Sequence, residues 1–181
     1  NHGTTTFYGD EMNTASTASS PTNEADAITG WEEVGSGTLT SDTLGTEPSG
    51  THSLHFVAAA NADYIKLSSA LTVVVGRTYQ IQVQYITANG DGDTAFRIGV
   101  GTSAGGNEYF VTSDLNDTSW TTYTNTFTAT TVNLHIFFDE RGDNDVNLYI
   151  DTISIKEVGV SDSWTTADAE PLIPQTALMG M

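Results

Sequence analysis

From Gly30 onward the chain alternates apolar and polar residues with a period of two. In Thr78 to Ile86, Tyr79, Ile81, Val83 and Tyr85 fall on one face and Gln80, Gln82 and Gln84 on the other. Successive side chains of a strand point to opposite faces of the sheet, so this pattern predicts a strand with one face in a core. Phe96, Ile98 and Val100 repeat it and place Arg97 outward. Val132, Leu134, Ile136 and Phe138 form a third inward set, leaving Asn133, His135 and Phe137 facing away. Strand-like runs lie near 31–40, 52–58, 63–67, 78–86, 94–101, 107–112, 121–128, 131–138 and 146–158. Turn signals such as Asn89-Gly90-Asp91-Gly92 and Gly105-Gly106-Asn107 separate them, and no helical period competes. The expected fold class is all-β, a sandwich of two antiparallel sheets.

The last strand breaks its own phase. Leu148 and Ile150 share one parity, whereas Ile153 and Ile155 have the other, so a regular strand exposes one pair. One extra residue near Asp151 and Thr152, a β-bulge, returns both pairs to the core. Asp151 then stands at a kink, where a carboxylate is aimed at something.

Three segments follow from this pattern. Residues 1–29 form an N-terminal strand and a polar, small-residue loop, residues 30–158 the sandwich, and residues 159–181 an extended C-terminal arm. Pro171 and Pro174 prevent the arm from continuing a sheet. An apolar arm of this kind docks on its own domain or on a neighbour. Trp164, Leu172, Ile173, Leu178 and Met179 are accordingly read as an assembly arm. The ending Met179-Gly180-Met181 suggests a piece of something longer.

Charge changes the picture more than size does. The 181 residues suit one core, and 23 acidic residues face only Lys66, Lys156, Arg77, Arg97 and Arg141, for a net charge of −18. Phosphate backbones need a basic footprint, so nucleic acid is not an expected partner, and anionic membrane surfaces are disfavoured likewise. No apolar run approaches the ~20 residues that cross a bilayer. The first residues also lack the order of a secretion signal, so the signal has been removed or export never used one. The acidic excess serves solubility, or it holds divalent cations. With no cysteine, disulfides, thiol catalysis and cysteine zinc sites are excluded.

Several segments taken in order resemble a known group. They are Gly30-Trp31, Ser53-Leu54-His55-Phe56, Tyr64-Ile65-Lys66-Leu67, Val75-Gly76-Arg77-Thr78-Tyr79, Trp120-Thr121-Thr122-Tyr123 and Tyr149 to Ile155. Together they resemble the jelly-roll carbohydrate-binding modules attached to xylanases and related glycosidases, over about Phe7 to Val158. The ends are similar to something else. His2-Gly3-Thr4-Thr5 with Phe7 to Glu11, and Leu172 to Gly180, look like flanking sequence in tailed-phage structural proteins.

The resemblance implies a structural calcium, with Asp151 as one ligand and Asp10 and Glu11 supplying the other end. Alternatively, Asp151 caps its bulge through backbone hydrogen bonds. For a glycan, amides and guanidinium groups bond sugar hydroxyls while aromatic rings lie under the apolar faces. Gln80, Gln82, Gln84, Arg97, Asn133, His135 and Phe137 supply this chemistry if their strands are neighbours in one sheet. Otherwise they are an ordinary polar outer face.

Asp139 to Asp145 and Asp91 to Asp93 lack the spacing of an EF-hand and read as solvated connections. Trp31 and Trp120 are expected to cap the core. His52 and His55 point to opposite faces of a strand, and no nucleophile elbow or phosphate cradle is present. No enzyme is expected. The flanks instead imply a non-catalytic virion surface protein of a tailed phage, a capsid decoration or fibre component, and the exposed sheet of its carbohydrate-binding-module-like jelly roll implies glycans as ligands. Its further partners are copies of itself or other virion proteins, reached through the terminal arms. The alternatives are a carbohydrate-binding module of a secreted glycosidase, or a purely structural shell or filament subunit.

Overall fold

The computed structural model describes residues 6–11, 28–88, 94–142 and 146–160, with 6–11, 94, 142 and 160 by backbone alone. Among these residues every regular element is a strand. They are β1 (Thr6–Glu11), β2 (Trp31–Val34), β3 (Thr38–Asp42), β4 (Ser53–Val57), β5 (Tyr64–Leu67), β6 (Leu71–Thr72), β7 (Thr78–Thr87), β8 (Thr94–Gly101), β9 (Phe110–Val111), β10 (Thr121–Thr128), β11 (Asn133–Gly142) and β12 (Asn147–Val160). The first sheet has the order β10-β7-β12-β4-β3, with β1 paired to β12, and the second the order β2-β5-β11-β8-β9, with β6 paired to β11. All of these pairings are antiparallel.

The alternation along the chain becomes the partition between core and surface. Tyr79, Ile81, Val83 and Tyr85 of β7 meet Phe96, Ile98 and Val100 of β8 and Leu134, Ile136 and Phe138 of β11 in one core cluster. Aromatic rings run through it. Tyr85 stands edge-on to Phe96 with ring centroids 4.9 Å apart, and Trp31 lies 5.5 Å from Phe138. Trp31 thus caps the core, as expected. One open side is closed by Tyr109 stacked on Phe127 at 4.8 Å and by Phe110 against Tyr123 at 6.2 Å.

The phase slip of β12 is a bulge. Asp151 pairs with Gln84 and Ser154 with Gln82, so three steps along β12 match two along β7. Leu148, Ile150, Ile153 and Ile155 are all fully buried in consequence. The extra residue puts Thr152 at φ 47°, a left-handed conformation that β-branched side chains resist.

Four expectations need correction. Val132 is not in the core but 55% exposed, because β11 begins only at Asn133 and the preceding turn carries Val132 outward. The run 31–40 is two strands in different sheets, broken at Gly35-Ser36-Gly37. Asp139 to Gly142 belongs to β11 rather than to a loop, since Asp139 pairs with Arg97 and Gly142 with Thr94. Trp120 lies outside the core cluster. Its indole Nε1 donates to Thr46 Oγ1 at 3.2 Å, tying it to the loop between β3 and β4.

Candidate glycan-binding groove

The outward residues of the second sheet line up across its strands. Tyr64 of β5 is paired with Asp139 of β11, and Asp139 with Arg97 of β8. The next outward row contains Lys66, Phe137, Gly99 and Val111. A groove of about 400 Å³ lies over these rows, lined by Ala62, Tyr64, Arg97, Phe137 and Asp139 and walled by Ala104, Gly105 and Asn107. That size falls at the lower end of the ~300–1,000 Å³ common for small-molecule sites.

Two glycines shape the groove. The outward face of β8 reads Arg97, Gly99, Gly101, and a Cβ on Gly99 would collide with the ring of Phe137. Phe137 therefore lies down across Gly99 and is nearly buried, as floor rather than protruding platform. Tyr64, half-buried, stands edge-on to it with centroids 6.3 Å apart. At Gly101 a Cβ would run into the carbonyl of Gly106, so the missing side chain lets the wall loop fold down onto the strand. Glu108 pins that loop, accepting the Thr102 N–H at 2.8 Å and the Ser103 hydroxyl at 3.3 Å.

Charge in the groove is paired. Arg97 donates through Nε to Asp139 Oδ1 at 3.2 Å and through Nη2 to Asp139 Oδ2 at 2.5 Å. The hydrogen bond to Asp139 raises the Arg97 pKa further, so the guanidinium stays charged. Lys66 is bonded to Glu32 on the neighbouring strand. His135, outward on β11 beside Gly101, has a buried Nδ1 without a hydrogen-bond partner. Burial and then the nearby Lys66 push its pKa down, outweighing the pull of Glu108, so the ring is neutral at neutral pH. The groove thus offers fixed donors, a carboxylate acceptor, an amide and aromatic carbon without net charge among its pairs.

The seven outward residues named from the sequence do not form one surface. Arg97, Asn133, His135 and Phe137 belong to β8 and β11 of the second sheet. Gln80, Gln82 and Gln84 lie on β7 of the first sheet, facing the other side of the sandwich. Among the four on the second sheet, Arg97 and Phe137 line the groove, whereas Asn133 is exposed at the start of β11. The sequence reading missed Tyr64, Asn107, Asp139 and Gly99. The glycines were legible, because outward glycines in an alternating strand mark a close approach.

At the β12 bulge, Asp151 is fully buried. Its Oδ1 accepts the Thr152 N–H at 2.6 Å and its Oδ2 the Ser49 N–H at 3.1 Å. Ser53 stands one step beyond the Leu54–Ile150 pair, and its hydroxyl and that of Thr152 are buried without a hydrogen-bond partner. Orphaned hydroxyls beside a buried carboxylate have the all-oxygen donor chemistry that suits calcium. Among the described residues they add up to one carboxylate, and no group of three His, Asp or Glu is close enough to hold a metal. Asp10 and Glu11 lie in β1, where Glu11 pairs with Lys156 of β12, but their side chains lie outside the described residues. The arm residues Trp164, Leu172, Ile173, Leu178 and Met179 lie outside them as well.

Two facing antiparallel sheets in this order make a jelly-roll β-sandwich, with the groove on one outer face. Solved structures of that class are similar to the chain. The CBM22-1 xylan-binding domain from Paenibacillus barcinonensis Xyn10C is 16% identical, with 82% of this chain and 95% of that one covered and a TM-score of 0.60. The C-terminal family 22 carbohydrate-binding module of Clostridium thermocellum Xyn10B is 16% identical over 81% of this chain and 98% of that one, at 0.57. The enzymatically active domain of bacteriophage CBA120 tailspike protein 4 is 10% identical over 79% of this chain and 21% of that one, at 0.56. No family model and no curated protein matches the chain. At such identities the likeness shows the fold alone. No helix among the described residues is long and apolar enough to cross a membrane.

Proposed function

We infer that the chain is a non-catalytic glycan-binding domain that holds a short run of sugar residues in the groove of the second sheet. The observation that carries this reading is the joining of Tyr64 and Phe137 with the Arg97–Asp139 pair and Asn107 in one groove of about 400 Å³. Ring faces take the apolar side of a sugar and the polar groups its hydroxyl edge. A glycosidase places two carboxylates across its cleft. This groove is lined by the single carboxylate Asp139, already bonded to Arg97, which supports binding without hydrolysis.

Affinity electrophoresis of the chain against a panel of soluble polysaccharides tests the proposal. At least one polysaccharide should retard the chain, and Tyr64→Ala or Arg97→Ala should weaken retardation about tenfold or more, as loss of an anchor at the centre of a site does. Retardation that survives both changes clears the groove of the role.

The proposed setting is outside the cell, on the virion surface of a tailed phage. Its supports are the flanking residues His2 to Glu11 and Leu172 to Gly180, together with a fold also found in a tailspike domain. Calcium is a separate proposal. Asp151 with the orphaned hydroxyls of Ser53 and Thr152 would hold it, and the ion would tie the bulge to the loop before β4. Chelator should then lower the melting temperature, and Asp151→Ala should abolish that sensitivity. A melting curve indifferent to chelator removes the ion from the structure.

A further inference from the structure

We propose that the edge strand β10 pairs with β10 of a second copy of this chain, antiparallel about a twofold axis. Strand edges present unpaired N–H and C=O groups, and proteins that stay apart guard them with Lys, Pro, bulges or very short strands. β10 has none of these. It runs eight residues, and its register with β7 is unbroken from Thr121 opposite Tyr85 to Thr128 opposite Thr78. No described strand covers its other side.

The other edges are guarded. β1, paired only with β12, carries Asp10 and Glu11, β2 carries Glu32 and Glu33, β3 ends on Asp42, and β6 and β9 are two residues each. The contrast bears on the choice of partner because of the whole-chain charge. Two copies of a chain with net charge −18 repel each other almost everywhere, yet no charged residue occurs between Asp117 and Asp139. β10 lies within that interval. A partner of opposite charge would gain nothing there, whereas a second copy can approach there without opposing its own carboxylates.

The side chains suit self-pairing. Thr122, Thr124, Thr126 and Thr128 are exposed on the outer face, and an antiparallel twofold pair would set Thr against Thr, a favourable cross-strand combination. Such an axis stands normal to the sheet, so both grooves open on the same side. Two weak sites side by side would then bind a polymer with avidity, although the pairing itself does not depend on the groove.

Sedimentation of the full chain over a range of concentrations tests the pairing. The 19.2 kDa chain should move to twice that mass as concentration rises, and added salt should favour the dimer by screening repulsion. Thr124→Lys with Thr126→Lys, and Thr124→Glu with Thr126→Glu, change exposed positions that folding tolerates. Both pairs should raise the dimer dissociation constant about tenfold or more, since either sign sets like charges face to face. Opposite charges with the same effect rule out a mere change in net charge. The backbone amides of β10 that face away from β7 should gain protection from hydrogen exchange only as the dimer forms, whereas those bonded to β7 are protected throughout. A monomer under all conditions, association indifferent to both variants, or protection of the outward-facing β10 amides already in the monomer each overturns the proposal; the last would mean that another segment of the same chain covers the edge.

Discussion

Asp63 shows how much one side chain can organise. It is buried at the start of the second sheet, and its carboxylate accepts N–H bonds from Ala59 and Ala60 at 2.9 Å each and from Ser36 at 3.1 Å. Burial works against its charge, but the Ala59, Ser36 and Ala60 bonds outweigh burial and hold its pKa below the ordinary 3.8. A carboxyl whose folded pKa is depressed stabilises the fold above its ordinary pKa and loses that contribution as pH falls through the lower folded value. Asp63→Asn should cost about 2 kcal/mol at pH near 7. The gap between variant and parent should narrow as urea unfolding is repeated at progressively more acidic pH, below 3.8. A gap that is constant with pH would mean that the carboxylate charge is not what holds these loops. Sequence alone did not single out Asp63, because its donors come from two turns that only the fold brings together. Tyr64 and Asn107 stand in the sequence only as part of a strand and of a turn, because the groove that joins them is made by the fold.

Elements were legible where alternation was strict and illegible where charge or glycine interrupted it. β7, β8 and β10 follow directly from the pattern. β11 was read as ending before Asp139, since Asp, Glu, Arg and Gly in succession resemble a loop. In the fold the Arg97–Asp139 pair carries the strand through them. The β12 bulge was readable because four isoleucine and leucine side chains of opposite parity cannot all be buried otherwise. Its strain was not readable. Thr152 at φ 47° bears the left-handed penalty of a side chain with a branched Cβ, and in the presence of chelator Thr152→Gly should raise stability by about 1 kcal/mol, seen calorimetrically as ~2–4 °C in melting temperature. A lower melting temperature would show that the Thr152 hydroxyl contributes more than the strain removes.

At the scale of the whole molecule, the two outer faces divide the chemistry that the sequence lists together. Gln80, Gln82 and Gln84 face away from the groove, so Gln82→Ala with Gln84→Ala should leave polysaccharide retardation intact while Tyr64→Ala reduces it. The same electrophoresis checks both. Loss of retardation in the glutamine variant would move the binding face to the first sheet. What the sequence determined by itself was local: which residues face inward, that the class is all-β, and that one strand must bulge, because period-two alternation and burial are properties of neighbours along a chain. Which strands share a sheet was decided only in three dimensions. Sheet order depends on pairing between strands far apart in sequence, and one polar outward row looks the same from the sequence whichever side of the sandwich it occupies.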